Sequence, residues 1–177
     1  SLSTVDLKVQ DDLTVTDDVS IGGDLATTGA STAASYNGIT SKTFGTSSIM
    51  IGDNATGTID AADRNTGVGV DVFAALTSGD NNVAVGFQTL NDVTTGSNNV
   101  AVGDRAGDKI STGSSNTAIG GSALGSNTTA SNNTAIGYAA LDANTTGTGN
   151  IAVGANALDA NTTGSNHVAI GTNALGA

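Results

Sequence analysis

The sequence contains no cysteine, no proline and no tryptophan, and aromatic residues make up only 3% of its 177 positions. Globular cores usually contain large aromatic and aliphatic side chains, so this composition argues against a conventional globular core. Without cysteine there are no disulfides and no cysteine-ligated zinc. The absence of proline fits continuous ladders of backbone hydrogen bonds, because proline has no N–H to donate.

Glutamate is absent as well, so all 16 acidic residues are aspartates, and the formal net charge is −11. Nucleic-acid-binding proteins carry a basic surface, which this chain cannot supply. No apolar run is long enough to span a membrane. The first residues, "SLSTVDLK", lack the basic and apolar regions of a signal peptide. We therefore expect no nucleic-acid partner and no membrane insertion.

Glycine is abundant, with 25 copies, and many of them mark a repeat. One glycine closes the pattern Asn-x-Ala-aliphatic-Gly and recurs every 17 residues without insertion or deletion. These anchor glycines are Gly52, Gly69, Gly86, Gly103, Gly120, Gly137, Gly154 and Gly171. A fixed period with fixed columns predicts a solenoid, in which each coil covers the edge of the one before it.

Branched aliphatic residues precede the anchor glycine, alanine stands one position earlier, and leucine usually follows four positions after the glycine. This alternation has the period of a β-strand. We expect the branched face to pack inside the coil and the alanine face to meet another backbone closely. Each unit then reads as strand, turn, short strand and longer turn. The expected repeat core is Val85, Val102, Ile119, Ile136, Val153, Ile170, Leu90, Leu124, Leu141 and Leu158.

An asparagine stands four positions before most anchor glycines. Stacking the coils would place these side chains in an amide ladder along the rod. The expected ladder is Asn82, Asn99, Asn116, Asn133 and Asn150. His167, the only histidine, occupies the same column one repeat later.

Residues 1–30 instead repeat with a period of six residues, as in "LKVQDDLTVTDDVSIGGDL". Hexads are typical of β-helices, but four of them make little more than one triangular coil, and a stable stack needs about three repeats. Three chains winding together could close this core, which predicts a homotrimer. We divide the chain into the hexad segment 1–30, a transition segment 31–45 and eight 17-residue repeats over 46–177. The last repeat has no capping unit, so we expect the chain to be part of a longer protein.

Catalytic constellations are scarce. A single histidine without cysteine disfavours a zinc site, and no nucleophile elbow is present. Asp60 and Asp63 are the nearest irregular carboxylate pair for glycoside cleavage. The "NTT" triplets at Asn127, Asn144 and Asn161 match a glycosylation sequon but recur with the repeat. We expect a non-enzyme that uses neither a cofactor nor a metal.

The stretch "NTAIGYAALDANTTGTGNIAVGANALDANTTG" resembles repeats of phage tail fibres and related trimeric fibres. Its "NIAVG" and "HVAIG" cores are also similar to head repeats of trimeric autotransporter adhesins, which form left-handed parallel β-rolls. "DLTVTDDVSIGGDL" is similar to hexad stretches of phage fibre shafts. The resemblance implies an all-β, elongated and homotrimeric β-roll preceded by a triple-stranded β-helix.

Its implied role is a shaft segment of a tail fibre on the virion, with a host surface glycan or protein as a further partner. The alternative is the head of a trimeric adhesin on a bacterial surface. A depolymerase tailspike is a third hypothesis. An ice-binding solenoid is a fourth, because the adjacent threonines stack in columns, although neighbouring threonines should point to opposite sides of a strand.

Overall fold

A computed structural model of the chain describes the backbone of three short strands within 34–51 and all of residues 62–176. The hexad segment 1–30 lies outside the described residues. The strands are β1 (Ala34–Tyr36), β2 (Ile39–Lys42), β3 (Ile49–Ile51), β4 (Thr66–Val68), β5 (Val83–Val85), β6 (Val100–Val102), β7 (Thr117–Ile119), β8 (Thr134–Ile136), β9 (Ile151–Val153) and β10 (Val168–Ile170).

These strands form one sheet in sequence order. Strands β1 and β2 are antiparallel, as are β2 and β3. From β3 onward all neighbours are parallel, and each residue pairs with the residue 17 positions later, as Ala118 does with Ala135. The chain is therefore an all-β parallel β-solenoid with coils of 17 residues, and its described part contains no helix.

Each described coil contains one strand of three residues, and the second short strand expected from the sequence is not formed. The leucine that was expected there lies in a turn with left-handed backbone geometry, at φ 53° for Leu124 and Leu141. Such a residue cannot continue an extended strand. The turn instead directs the leucine into the coil, where Leu90, Leu124 and Leu141 are fully buried.

The interior face of each strand is the alanine face, so the expected orientation of the strand was wrong. Ala84, Ala101 and Ala135 are completely buried, whereas the branched residues on either side point outward. The interior is narrow because a leucine enters it from the opposite turn, and alanine leaves room for that leucine. The residues removed from the expected single-chain core are Val85, Val102, Ile119, Ile136, Val153 and Ile170.

The anchor glycine is required by the stacking of the coils. Gly137 has φ of 133°, a conformation open essentially to glycine alone. A Cβ atom on Gly137 would lie 2.5 Å from the carbonyl oxygen of Gly154 in the next coil. Glycine at this position therefore allows the backbones of successive coils to come into direct contact.

Candidate functional site

The outer face of the strands carries a continuous stripe of β-branched residues, which we call the branched stripe. Two columns run along it, one on each side of the buried alanine column. The branched stripe consists of Thr66, Val68, Val83, Val85, Val100, Val102, Thr117, Ile119, Thr134, Ile136, Ile151, Val153, Val168 and Ile170.

Apolar side chains in this stripe are unusually accessible for residues of their type. Val102 is 38% exposed and Ile136 is 37% exposed. The seven strands would extend the stripe over about 29 Å at the usual strand spacing. No charged residue interrupts it. Contiguous apolar surface is typical of interaction sites, so the branched stripe is the candidate for one.

A buried asparagine ladder stiffens the corner that leads into each strand. The side-chain oxygen of Asn82 accepts the backbone N–H of Asn99 in the next coil, at 2.9 Å, and its amide nitrogen donates to the carbonyl of Gly96, also at 2.9 Å. The same pattern repeats through Asn116, Asn133 and Asn150. Each member thus holds two backbone groups in the corner of the following coil.

His167 ends this ladder within the described residues. Its backbone N–H donates to the side-chain oxygen of Asn150 at 3.0 Å, so the main chain keeps the ladder geometry. The residue itself is exposed in the last coil. No group of three or more histidine and acidic side chains within the described residues could hold a metal ion.

A second ladder, which was not predicted from the sequence, begins at Asn127. Its members are Asn127, Asn144 and Asn161, and the amide of Asn144 donates to the side-chain oxygen of Asn127 at 3.2 Å. Asn144 also donates to the carbonyl of Gly147 at 2.9 Å. The signal that could have revealed it is the apolar character of the same column in earlier repeats.

Burial of the second ladder determines whether its asparagines are accessible for glycosylation. Asn127 and Asn144 are completely buried, and their amide nitrogens are engaged in hydrogen bonds. A glycan attached to either side chain would have no space in the folded solenoid. The triplets at Asn127 and Asn144 therefore do not provide modification sites in the folded chain.

The three cations in the fully described region differ in their partners. Arg64 lies 3.5 Å from a carboxylate oxygen of Asp80, and Lys109 lies 3.1 Å from one of Asp92. Arg105 has no carboxylate partner among these residues. Its guanidinium lies over the ring of Phe87, 5.8 Å from the centroid.

Two carboxylates, Asp142 and Asp159, occupy the same column in adjacent coils. Burial raises the pKa of Asp142 above its ordinary value, and the nearby charge of Asp159 raises it further. One oxygen of Asp159 is buried without a hydrogen-bond partner. Asp63 is the described member of the carboxylate pair considered from the sequence, and its partner Asp60 lies outside the described residues.

Comparison with protein-family models, with curated proteins and with solved structures finds no match for this chain. No helix in the described part of the chain has the length and apolar character needed to cross a membrane. The functional interpretation therefore depends on the surface of the solenoid itself.

Proposed function

We propose that the chain is a structural shaft segment of a homotrimeric phage tail fibre that takes part in host attachment. In this role the solenoid acts as a stiff spacer on the virion, with no catalytic activity and no cofactor. The single observation that carries the proposal is the branched stripe. It is a largely apolar, charge-free surface that runs the length of the described solenoid.

Copies of the same chain are the occupants that best suit this stripe. Each chain has a net charge of −11, so most of its surface would repel another copy. The stripe contains no carboxylate, and two or more copies can therefore meet there without opposing like charges. The branched stripe of one chain is also matched in length by the same stripe of another.

Three copies are favoured over two by the hexad segment. Four hexads in one chain cannot form a stable stack, whereas three chains can each supply one side of a triangular coil. Within the repeat region, a threefold assembly would bring three branched stripes together. Closed rotational symmetry of this kind is usual for assemblies of identical chains.

The head of a trimeric bacterial surface adhesin is the second candidate, and the branched stripe suits it equally well. A depolymerase tailspike and an ice-binding solenoid rank below both. The complete gene would separate the first two. A secretion signal with a membrane anchor would favour the adhesin, and a tail-attachment or chaperone region would favour the fibre.

Light scattering on the purified chain tests the assembly. One chain has a mass of 17.0 kDa, so a trimer has a mass of 51.0 kDa (3 × 17.0). Ile119→Asp should give folded monomers, because it places three carboxylates at the shared face. Thr146→Asp, on an exposed turn, should remain trimeric. A stable folded monomer of the unaltered chain would overturn the proposal, as would an Ile119→Asp trimer.

A further inference from the structure

Two of the three aromatic residues in the fully described part of the chain stand in one exposed column. Phe73 is completely buried, whereas Phe87 is 43% exposed and Tyr138 is 65% exposed. Each exposed aromatic residue directly follows an anchor glycine, Gly86 or Gly137. We call this position in every coil the post-glycine column. Its described members are Val70, Phe87, Asp104, Gly121, Tyr138, Ala155 and Thr172.

The post-glycine column continues the backbone ladder of the strands. The N–H of Gly86 donates to the carbonyl of Val68 at 2.9 Å, and the N–H of Gln88 donates to the carbonyl of Val70, also at 2.9 Å. Bonds at every second residue are those of a parallel pair, so the pairing runs through the anchor glycine. Residues of this column therefore stand in register from coil to coil, as those of the branched stripe do.

The post-glycine column lies next to the branched stripe. Phe87 is two positions beyond Val85, and Tyr138 is two positions beyond Ile136. Two residues of extended chain span at most about 7 Å, so each aromatic residue lies beside an exposed aliphatic residue. Val70, which is 44% exposed, adds to the same surface on the coil before Phe87. The exposed apolar surface is therefore wider than the branched stripe itself at these coils.

The opposite flank of the branched stripe is polar. Five positions before the anchor glycine, the exposed residues include Asn81, Asn98, Ser115 and Asn132. All four have left-handed backbone geometry, with φ between 58° and 63°, which asparagine adopts more readily than most residues. Apolar surface therefore extends from the branched stripe on one side only.

Both aromatic rings are held against a neighbouring coil. The guanidinium of Arg105 lies over the ring of Phe87, 5.8 Å from the centroid, and its Nε–H donates to the side-chain oxygen of Gln88 at 3.1 Å. The ring of Tyr138 leans toward the preceding coil, where a Cβ on Gly121 would lie 3.5 Å from the ring. A side chain that is already positioned loses less conformational entropy when a partner packs on it. Aromatic residues of this kind are typical anchors of protein interfaces.

We propose that Phe87 and Tyr138 are anchor residues in the contact between copies of this chain, and that the contact extends from the branched stripe onto the post-glycine column. The inference rests on the proposed assembly and names a second contact strip within it. Another copy suits this column because its apolar surface is continuous with the branched stripe. Asp104 is the one carboxylate among the described members of the column. Over most of the remaining surface, the net charge of −11 per chain opposes contact between copies.

The chain has no tryptophan, so a single introduced tryptophan reports on its own surroundings. Tyr138→Trp and Phe87→Trp are each measured in the assembled protein and in the Ile119→Asp background, which the proposed assembly predicts to be monomeric. We expect emission at shorter wavelength in the assembled protein, and acrylamide quenching weaker by at least about threefold, because the core of an interface is desolvated. Thr146→Trp, on an exposed turn, should give the same emission in both backgrounds. Equal emission and quenching in both backgrounds for Tyr138→Trp and Phe87→Trp would overturn the inference.

Truncation measures how much each ring contributes to the assembly. Tyr138→Ala and Phe87→Ala should each raise the concentration at which the assembly dissociates by at least about tenfold, with folding of the variants checked by circular dichroism. Thr146→Ala should leave this concentration unchanged. Light scattering on the same samples separates the two proposals. A folded monomer of the unaltered chain would overturn both, whereas a trimer that neither truncation weakens would overturn this inference and leave the proposed assembly intact.

Discussion

The early and late coils fill the same corner of the solenoid with different chemistry. Seven positions after the anchor glycine, the early coils bury aliphatic side chains and the late coils bury amides. The early residues are Leu76, Val93 and Ile110, and the late ones are Asn127, Asn144 and the partly buried Asn161. In both regions the side chain meets the residue three positions later, by packing on Gly96 in the case of Val93 and by a hydrogen bond to Gly147 in the case of Asn144.

This difference shows that the position seven residues after the anchor glycine accepts an aliphatic side chain or an amide of suitable shape, provided that the polar groups of the amide are hydrogen-bonded. In the late coils the carbonyl of Gly147 accepts from Asn133 at 2.8 Å and from Asn144 at 2.9 Å, so the two ladders converge on it. Burying an amide is costly unless it finds partners. Here the partners recur with every coil, so the ladder supplies them without any special arrangement.

The early and late coils also differ in the positive charges that they carry. The early coils carry all three cations of the fully described region, and two of these form ion pairs. From residue 110 to the end the chain has no lysine or arginine. The late carboxylates Asp142 and Asp159 therefore face each other's charge without a neighbouring cation.

The largest effect should be common to both regions, because both share the stacked glycine. We expect Gly86→Ala and Gly137→Ala each to lower the free energy of unfolding by about 2–5 kcal/mol, through backbone strain and collision with the next coil. Chemical denaturation monitored by circular dichroism measures this. Gly121→Ala is the control, because the nearest atom would be 3.5 Å away, and it should change stability by less than about 0.5 kcal/mol.

The second prediction concerns the late coils alone. Asn144→Val should cost about 1–3 kcal/mol, because it leaves the buried oxygen of Asn127 without the donor it has now. Replacing Asn127, Asn144 and Asn161 together by valine should cost less than three times the single change. The triple variant removes donors and acceptors as a set and restores the aliphatic column of the early coils. Strict additivity in denaturation would show that the ladder is not a coupled unit.

The third prediction follows from the raised pKa of Asp142. The folded state holds its proton more tightly than the unfolded state, so this group favours folding when protonated and loses that contribution as pH rises through its folded pKa. Relative to the unaltered chain, Asp142→Asn should therefore gain stability as pH increases from 4 to 7 (about the ordinary aspartate pKa up to neutrality). Thermal melts of both proteins across this range test it, and a difference that shrinks with rising pH would contradict it.

The smallest effect is expected on the threonine column that bonds successive turns. The hydroxyl of Thr145 donates to the carbonyl of Thr162 at 3.1 Å, and Ser111 makes the equivalent bond to Thr128 at 3.2 Å. Serine already serves in this column, so Thr145→Ser should alter stability by less than about 0.5 kcal/mol. A larger loss in thermal melts would mean that the threonine methyl group packs more tightly than its position implies.

Period and strand position could be predicted from the sequence, because every coil repeats the same constraint on the anchor glycine. The face of the strand that points into the coil could not be predicted from the sequence. Val102 and Ala101 alternate in either orientation, and only the left-handed turn at the leucine column shows how little interior space remains. The second ladder was not predicted because Asn144 stands in a stretch whose residues are typical of a turn. Its burial depends on contacts with other coils.

The orientation of the strand is tested most directly by single cysteines, since the chain has none of its own. Ala135→Cys should resist maleimide labelling, because this position is completely buried. Ile136→Cys, one residue later and 37% exposed in the single chain, should link chains to one another with a short bismaleimide. The opposite pattern, with labelling and crosslinking at 135 and neither at 136, would contradict both the alanine interior and the branched stripe as the surface shared between copies.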